Sequence, residues 1–299
     1  MPLFVLCYLA NGRSYRGIFA LTGVTLINGQ ASHYVAVNDR GLQYGDGFFT
    51  TLRVAAGRLV QWPAHMARLQ TCAQRLGFNQ HDPQLQPDTL YAQCLRAIDG
   101  ASEAVVRITV TRGVGGRGYA PPQDATLQVI VAASDYPSHY ANWQSQGVCL
   151  HLARQQVGHQ PSLNGLKTLN RLEQVLAKQE LADYPDADDV LLLNTREQVT
   201  ATSMANIIWS RAGQWYAPDL AFGGIKGTAT EFFARQHKVE FGAWSLDALI
   251  QAEHVIICNA LMGFVSVGEI RQHATRSTQF SVISDFTQQL TTHMCQEEP

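Results

Sequence analysis

Near the middle of the chain, Asp135-Tyr136-Pro137-Ser138 breaks every periodic pattern, and this break most narrows what the chain can fold into. Before it, Val24–Ile27 and Ala36–Val37 flank Asn28-Gly29, a dipeptide suited to a tight hairpin. Thr50–Val54 and Arg58–Gln61, split by Ala55-Ala56-Gly57, read as a second hairpin. Helices are predicted over Pro63–Gly77 and Leu90–Ile98, and buried strands over Ala104–Thr111 and Ala125–Ala133. After the break, strands at Gly147–Leu152, Asp189–Asn194, Ile207–Ser210 and His254–Cys258 alternate with helices at Asn170–Leu181, Thr228–Gln236 and Ser245–Ala252. The expected fold is therefore a two-domain α/β and α+β protein. A small domain covers 24–134, a linker 135–146 and a larger domain 147–299, and they meet at a cleft where a ligand would sit. A length of 299 residues, 46% of them hydrophobic and 15% charged, supplies enough core for both.

The net charge of −2 offers no field for nucleic acid or an anionic membrane. Six scattered cysteines without a Cys-x-x-Cys pair form neither a disulfide framework nor a zinc site, which fits a reduced cytoplasm. The apolar run Met1–Ala10 lacks a preceding basic region and is too short to span a bilayer, so residues 1–23 read as a poorly ordered extension.

Lys167 lies in Asn164-Gly165-Leu166-Lys167-Thr168-Leu169-Asn170-Arg171-Leu172, among small and apolar residues with no acid before Glu173. Poor solvation lowers a lysine's pKa and frees the amine as a nucleophile, the chemistry of a Schiff-base lysine. The loop Arg112-Gly113-Val114-Gly115-Gly116-Arg117-Gly118-Tyr119 has the wrong glycine spacing for a dinucleotide fingerprint, and no helix follows it. Two guanidinium groups on flexible backbone suit a dicarboxylate; either could instead anchor the loop or a subunit contact.

Several further blocks accompany these in order. They are Asp39-Arg40-Gly41 with Tyr44-Gly45-Asp46-Gly47-Phe48-Phe49-Thr50-Thr51-Leu52-Arg53; His65-Met66-Ala67-Arg68-Leu69; Val199-Thr200-Ala201-Thr202-Ser203-Met204-Ala205-Asn206-Ile207; Gly224-Ile225-Lys226-Gly227-Thr228; and Ile257-Cys258-Asn259-Ala260-Leu261-Met262. Together they resemble the fold-type IV pyridoxal 5'-phosphate (PLP) enzymes, D-amino acid aminotransferase-like in fold, and among them the aminodeoxychorismate lyases. The resemblance begins near Leu26.

It implies a homodimer acting on aminodeoxychorismate, releasing 4-aminobenzoate and pyruvate for folate synthesis. Lys167 would carry the cofactor aldehyde and move the substrate proton. Arg68 would hold the phosphate, with the Thr228 and Ala229 backbone N–H groups at a helix start and with Asn259; a surface arginine and a strand-end asparagine are the plainer readings. Thr51, in Phe49-Thr50-Thr51, would protonate the departing enolpyruvate, unless it is an ordinary strand threonine. Arg117 and Arg112 would meet substrate carboxylates, with Tyr44 and Arg53 also in the cleft. One position departs from the pattern: Ala201 stands where the family has a glutamate for the pyridine nitrogen, and Glu197 is a strand-length away. A D-amino acid or branched-chain aminotransferase would be crippled by that loss; a lyase would be less so, because its product is aromatic. A PLP-binding remnant with little activity is the third reading.

Overall fold

The computed structural model describes residues 24–272 and 276–297, so the expectation for residues 1–23 lies outside the described residues. The first strands form one antiparallel sheet: β1 (Leu26–Ile27), β2 (Gln30–Ala31), β3 (Gly47–Ala55), β4 (Arg58–Leu59), β5 (Glu103–Thr111) and β6 (Gln128–Ser134). Their spatial order is β2-β1-β6-β5-β3-β4. Asn28 (φ 48°) and Gly29 (φ 76°) make the expected turn. Its return strand is Gln30–Ala31 rather than Ala36–Val37, because a two-residue turn pairs the residues immediately beside it.

The helices of this half are α1 (Arg40–Tyr44), α2 (Trp62–Arg75) and α3 (Pro87–Ile98). Helix α3 starts three residues before the predicted Leu90, because Pro87 pre-sets the first turn. Met66, Leu69 and Cys72 of α2 and Leu90, Cys94 and Ala97 of α3 pack with Phe48, Leu52, Val106, Ile108 and Val131 of the sheet. The period of two along β3 therefore sends Phe48, Thr50 and Leu52 toward the helices and leaves Phe49 and Thr51 for the opposite, cleft-facing side.

The second sheet is mixed. It contains β7 (Val148–Leu152), β8 (Asp189–Leu193), β9 (Val199–Thr202), β10 (Asn206–Arg211), β11 (Gln214–Pro218), β12 (Val239–Gly242), β13 (His254–Asn259), β14 (Gly263–Gln272) and β15 (Arg276–Gln279). The order is β12-β11-β10-β13-β14-β7-β8-β9, with β15 on β14. Helices α4 (Tyr140–Gln146), α5 (Leu172–Gln179), α6 (Thr228–Gln236), α7 (Leu246–Ile250) and α8 (Ser284–Gln296) surround it. Sequence periodicity missed β14, although Phe264, Val265 and Val267 are fully buried at the sheet's centre. A strand covered on both faces loses its alternation.

Candidate active site

Residues 165–169 run as an extended stitch between the two halves of the molecule. On one side the Phe49 N–H donates to the Lys167 carbonyl (2.9 Å) and the Leu169 N–H to the Gly47 carbonyl (3.0 Å). On the other, the Gly165 N–H donates to the Gly224 carbonyl (3.0 Å), and the Lys226 N–H returns a bond to the Gly165 carbonyl (3.0 Å). Gly47 permits the close approach, since a Cβ there would lie 2.7 Å from Leu169 Cδ1 and 2.4 Å from the Val110 carbonyl oxygen. Leu166 is buried in the core of the first half, which turns its neighbour Lys167 into the cleft.

The cleft, about 1080 Å³, gathers Lys167, Arg68, Thr51, Ala201, Thr228 and Asn259. Burial first, then the guanidinium groups of Arg68, Arg171 and Arg107, pull the Lys167 pKa from 10.5 to about 7. Its Nζ stands 4.6 Å from the centre of the Phe49 ring. A lysine held this way spends much of its time neutral at neutral pH.

Arg68 donates through Nη1 to Thr50 Oγ1 (3.3 Å) and through Nη2 to the Lys226 carbonyl (2.8 Å). Its buried Nε and the buried Thr228 Oγ1 have no hydrogen-bond partner among the described residues. Thr228 opens α6, whose first N–H groups have no intrahelical acceptor, and Ala229 follows it, buried. Gly227 precedes them because a Cβ at that position would fall 2.0 Å from Asn206 Oδ1. Asn259 reaches the cleft, but its Oδ1 accepts from the Leu261 and Met262 N–H groups (2.9 Å each) and its Nδ2 donates to the Met204 carbonyl (3.3 Å). It closes the turn after β13 and lines the cleft.

Four other residues expected in the cleft are placed elsewhere. Arg112 is buried, with Nε on both oxygens of Asp46 (2.9 and 3.1 Å) and Nη1 and Nη2 on the carbonyls of Gly77 and Leu76. Each of its three nitrogens donates inside the protein, so it braces the loop rather than facing a ligand. Arg53 lies over the Tyr136 ring at 4.4 Å and bonds Glu103 and Cys295. Tyr44 packs edge-on against Tyr119, 5.5 Å away, under Arg40. Arg117 is exposed outside the cleft lining. These contacts join residues tens to hundreds of positions apart, beyond the reach of local pattern.

Ala201 does line the cleft, on β9, and no carboxylate stands in for the missing glutamate. Glu197 sits in a left-handed turn (φ 59°), hydrogen-bonded to Gln156. Glu173 is the cleft's one lining acid among the described residues, and it accepts the Gly158 N–H (2.8 Å). Arg171, quoted in the Lys167 block without a role, lines the cleft and holds Thr168 through its carbonyl (3.1 Å) and hydroxyl (3.0 Å). Arg107, opposite Thr51 in the β3–β5 register, also went unread; its guanidinium lies 3.7 Å from the Phe49 ring centre. The site is thus cationic, with an activatable amine and open hydrogen-bond donors, and it suits a polyanion. No group of three or more His, Cys, Asp and Glu among the described residues is arranged to hold a metal.

Residues 47–270 match the family model for class IV amino-transferases. The chain is 33% identical to an aminodeoxychorismate lyase of Vibrio harveyi, over 82% of this chain and 90% of that one. The 4-amino-4-deoxychorismate lyase structure from Pseudomonas aeruginosa superposes with a TM-score of 0.80 at 31% identity, covering 92% of this chain and 99% of the other. The Escherichia coli branched-chain amino acid aminotransferase reaches the same TM-score at 17% identity, over 91% and 94% of the two chains, a likeness of fold alone.

Proposed function

We propose, from the premise that this chain belongs to the class IV aminotransferase family, that it is a PLP-dependent carbon–oxygen lyase converting 4-amino-4-deoxychorismate to 4-aminobenzoate and pyruvate. The observation that carries this reading is the joining of Lys167, with its pKa near 7, and Thr51 in one cationic cleft that holds no carboxylate beside Ala201. The relatives at 31–33% identity bear the lyase name.

The residues fit the cofactor's aldehyde and phosphate. Lys167 would hold the first. The unpartnered Arg68 Nε, the Thr228 hydroxyl and the free N–H groups of Thr228 and Ala229 would hold the second. Among the described residues, no carboxylate stands at position 201 to pair with the pyridine nitrogen. When bound, PLP supplies a carbonyl for the substrate amine and an electron-withdrawing ring. The neutral Lys167 amine takes the proton from C4 of the substrate. The C3–O bond breaks, its electrons leave with the oxygen, and the Thr51 hydroxyl gives that oxygen a proton and takes in exchange the one Lys167 holds, so both side chains end as they began; the released enol becomes pyruvate. The ring left behind is aromatic, so the reaction itself absorbs the charge that an acid at position 201 would otherwise help to spread. A transaminase has no such outlet, which disfavours the D-amino acid and branched-chain aminotransferase readings. Arg171, which lines the cleft, replaces Arg112 as a cation near the substrate. The intact Lys167, Arg68 and Thr51 oppose a remnant.

A homodimer in a reducing cytoplasm belongs to the same proposal. Exposed Val37, Leu42 and Tyr119 on the first half and Leu172 and Val175 on the second supply apolar surface for a partner. Cys72, Cys94, Cys149, Cys258 and Cys295 are all unpaired, and no helix among the described residues is long and apolar enough to cross a membrane. The switch of sheet between Ser134 and Val148 supports a domain boundary at 135–146.

The test is direct. Purified protein with PLP should release equal amounts of 4-aminobenzoate and pyruvate from aminodeoxychorismate. Vigorous amino-group exchange between amino and 2-oxo acids, without 4-aminobenzoate, would favour a transaminase; inertness toward both would favour the remnant.

A further inference from the structure

Beneath the cleft, His65 and Thr50 form a buried polar pair that the reaction described above does not use. Thr50 is 0% and His65 1% exposed, each inside the apolar core between α2 and the first sheet. His65 Nδ1 and Thr50 Oγ1 are 2.6 Å apart, and the same Oγ1 accepts from Arg68 Nη1 at 3.3 Å. A guanidinium can only donate, so Oγ1 receives that bond as acceptor. The hydroxyl hydrogen is then free to point to a bare His65 Nδ1, with the ring proton on Nε2; in the other tautomer Nδ1 donates to the second lone pair of Oγ1, and in both the two side chains are tied together. Nothing among the described residues accepts from Nε2. Burial, aided by the charges of Arg68 and Lys167, holds His65 well below its ordinary pKa of 6.5, which keeps it neutral and able to accept.

Apolar residues at both positions would remove the unpartnered Nε2 together with the hydroxyl that needs a partner, so stability alone does not account for the pair. Its geometry accounts for it differently. Arg68 lies on the same face of α2 as His65, three residues on. One arm is held by Thr50 below and the other by the Lys226 carbonyl across the cleft, which leaves Nε without a partner. Resting on the reading of this cleft as a PLP site, we propose that His65 and Thr50 are positioning residues that lock the Arg68 guanidinium in the orientation that receives the cofactor phosphate.

The experiment titrates the apo-protein with PLP and with pyridoxal, which lacks the phosphate, following absorbance. Thr50→Val and His65→Leu should each weaken PLP binding by about tenfold, the worth of one hydrogen bond, and leave pyridoxal binding unchanged. His65→Asn, whose side-chain amide can accept from or donate to the Thr50 hydroxyl in place of Nδ1, should recover most of the loss. In an Arg68→Ala background, neither Thr50→Val nor His65→Leu should cost anything further. Equal losses for PLP and pyridoxal, or losses that simply add to that of Arg68→Ala, would overturn the relay in favour of plain packing. If His65→Leu does not fold, the nearly isosteric Thr50→Val still decides. A wild-type protein that binds neither compound overturns the cofactor reading and the relay with it. A wild type that binds PLP no better than its variants overturns the relay alone.

Discussion

The molecule gathers guanidinium groups in two regions, and they treat them in opposite ways. Around Asp46, Arg40 and Arg112 meet one carboxylate, with Nε of each within 2.9 Å of it. Arg40 spends its remaining donors on the carbonyls of Gly118, Tyr119 and Ala120, and Arg112 on Leu76 and Gly77. Burial works to raise the Asp46 pKa, but hydrogen bonds and charge from the two arginines overcome it and hold the carboxyl below 3.8. Around Lys167, Arg68 and Arg171 have no comparable acid, Arg68 keeps a donor open, and the lysine is pushed toward neutrality instead. The first arrangement is closed and stabilises the loop. The second is open, at a cost in stability, and can take an anion. A cluster of arginines is informative about function only after its donors have been counted.

The sharpest break of this contrast is Lys167→Met. Lyase turnover should fall by on the order of 10³-fold or more, and borohydride should no longer fix PLP to the chain. The same change should stabilise the apo-protein near neutral pH. Lysine protonates below about 10.5 in the unfolded chain but only below about 7 in the folded one, so the unfolded state binds the extra proton between those values. Wild-type stability should therefore gain on the variant as pH rises from 7 toward 10.5, as measured by urea unfolding. A constant gap would mean that the lysine is solvated.

In the closed region, Asp46→Ala leaves two buried guanidinium groups without their carboxylate. The loss should be about 3 kcal/mol, at the low end for a broken buried pair because Asp46 keeps some contact with water. Wild-type stability from this group should be lost as pH falls through the depressed Asp46 pKa. Denaturant melts would check both, and KM measured on the folded fraction should stay put, since none of these groups lines the cleft.

Thr51→Val removes one hydroxyl from the open region. It should lower kcat by about 10²-fold while PLP affinity is kept, which steady-state kinetics beside a cofactor titration would separate. The smallest effect on the lyase is expected from Ala201→Glu. A carboxylate there should raise transamination of amino acids from nearly nothing and change 4-aminobenzoate release by only a few-fold. A large gain in lyase turnover would mean that aromatisation does not drive the wild-type step.

Much of the scaffold was legible because its signals are local. Asn28-Gly29 adopts the positive φ values that a two-residue hairpin needs, and Ala56 and Gly57 turn the second hairpin in the same way. Helix Thr228–Gln236 falls where its period and the preceding glycine put it. Strand β14 escaped, since burial on both faces erases the alternation by which strands are read. Within the site, Lys167, Arg68, Thr51, Ala201 and Thr228 were each named from ordered motifs, and the cleft gathers all five.

By itself the sequence determined which chemical groups are present and which short-range elements carry them: one lysine in an apolar stretch, an arginine three residues after a histidine on a helix, an alanine where an acid would be expected. Only the tertiary structure decided which arginines stay available. Arg112 and Asp46 are 66 positions apart, yet this contact ties up a guanidinium whose motif points to a ligand, and Arg53, bonded to Cys295 242 positions away, lies outside the cleft lining. The same is true of Lys167, whose lowered pKa comes from burial at the stitch between two sheets and from guanidinium groups on other elements. Hydrogen-bond saturation and desolvation are properties of the surroundings in space, and chain order alone does not specify them.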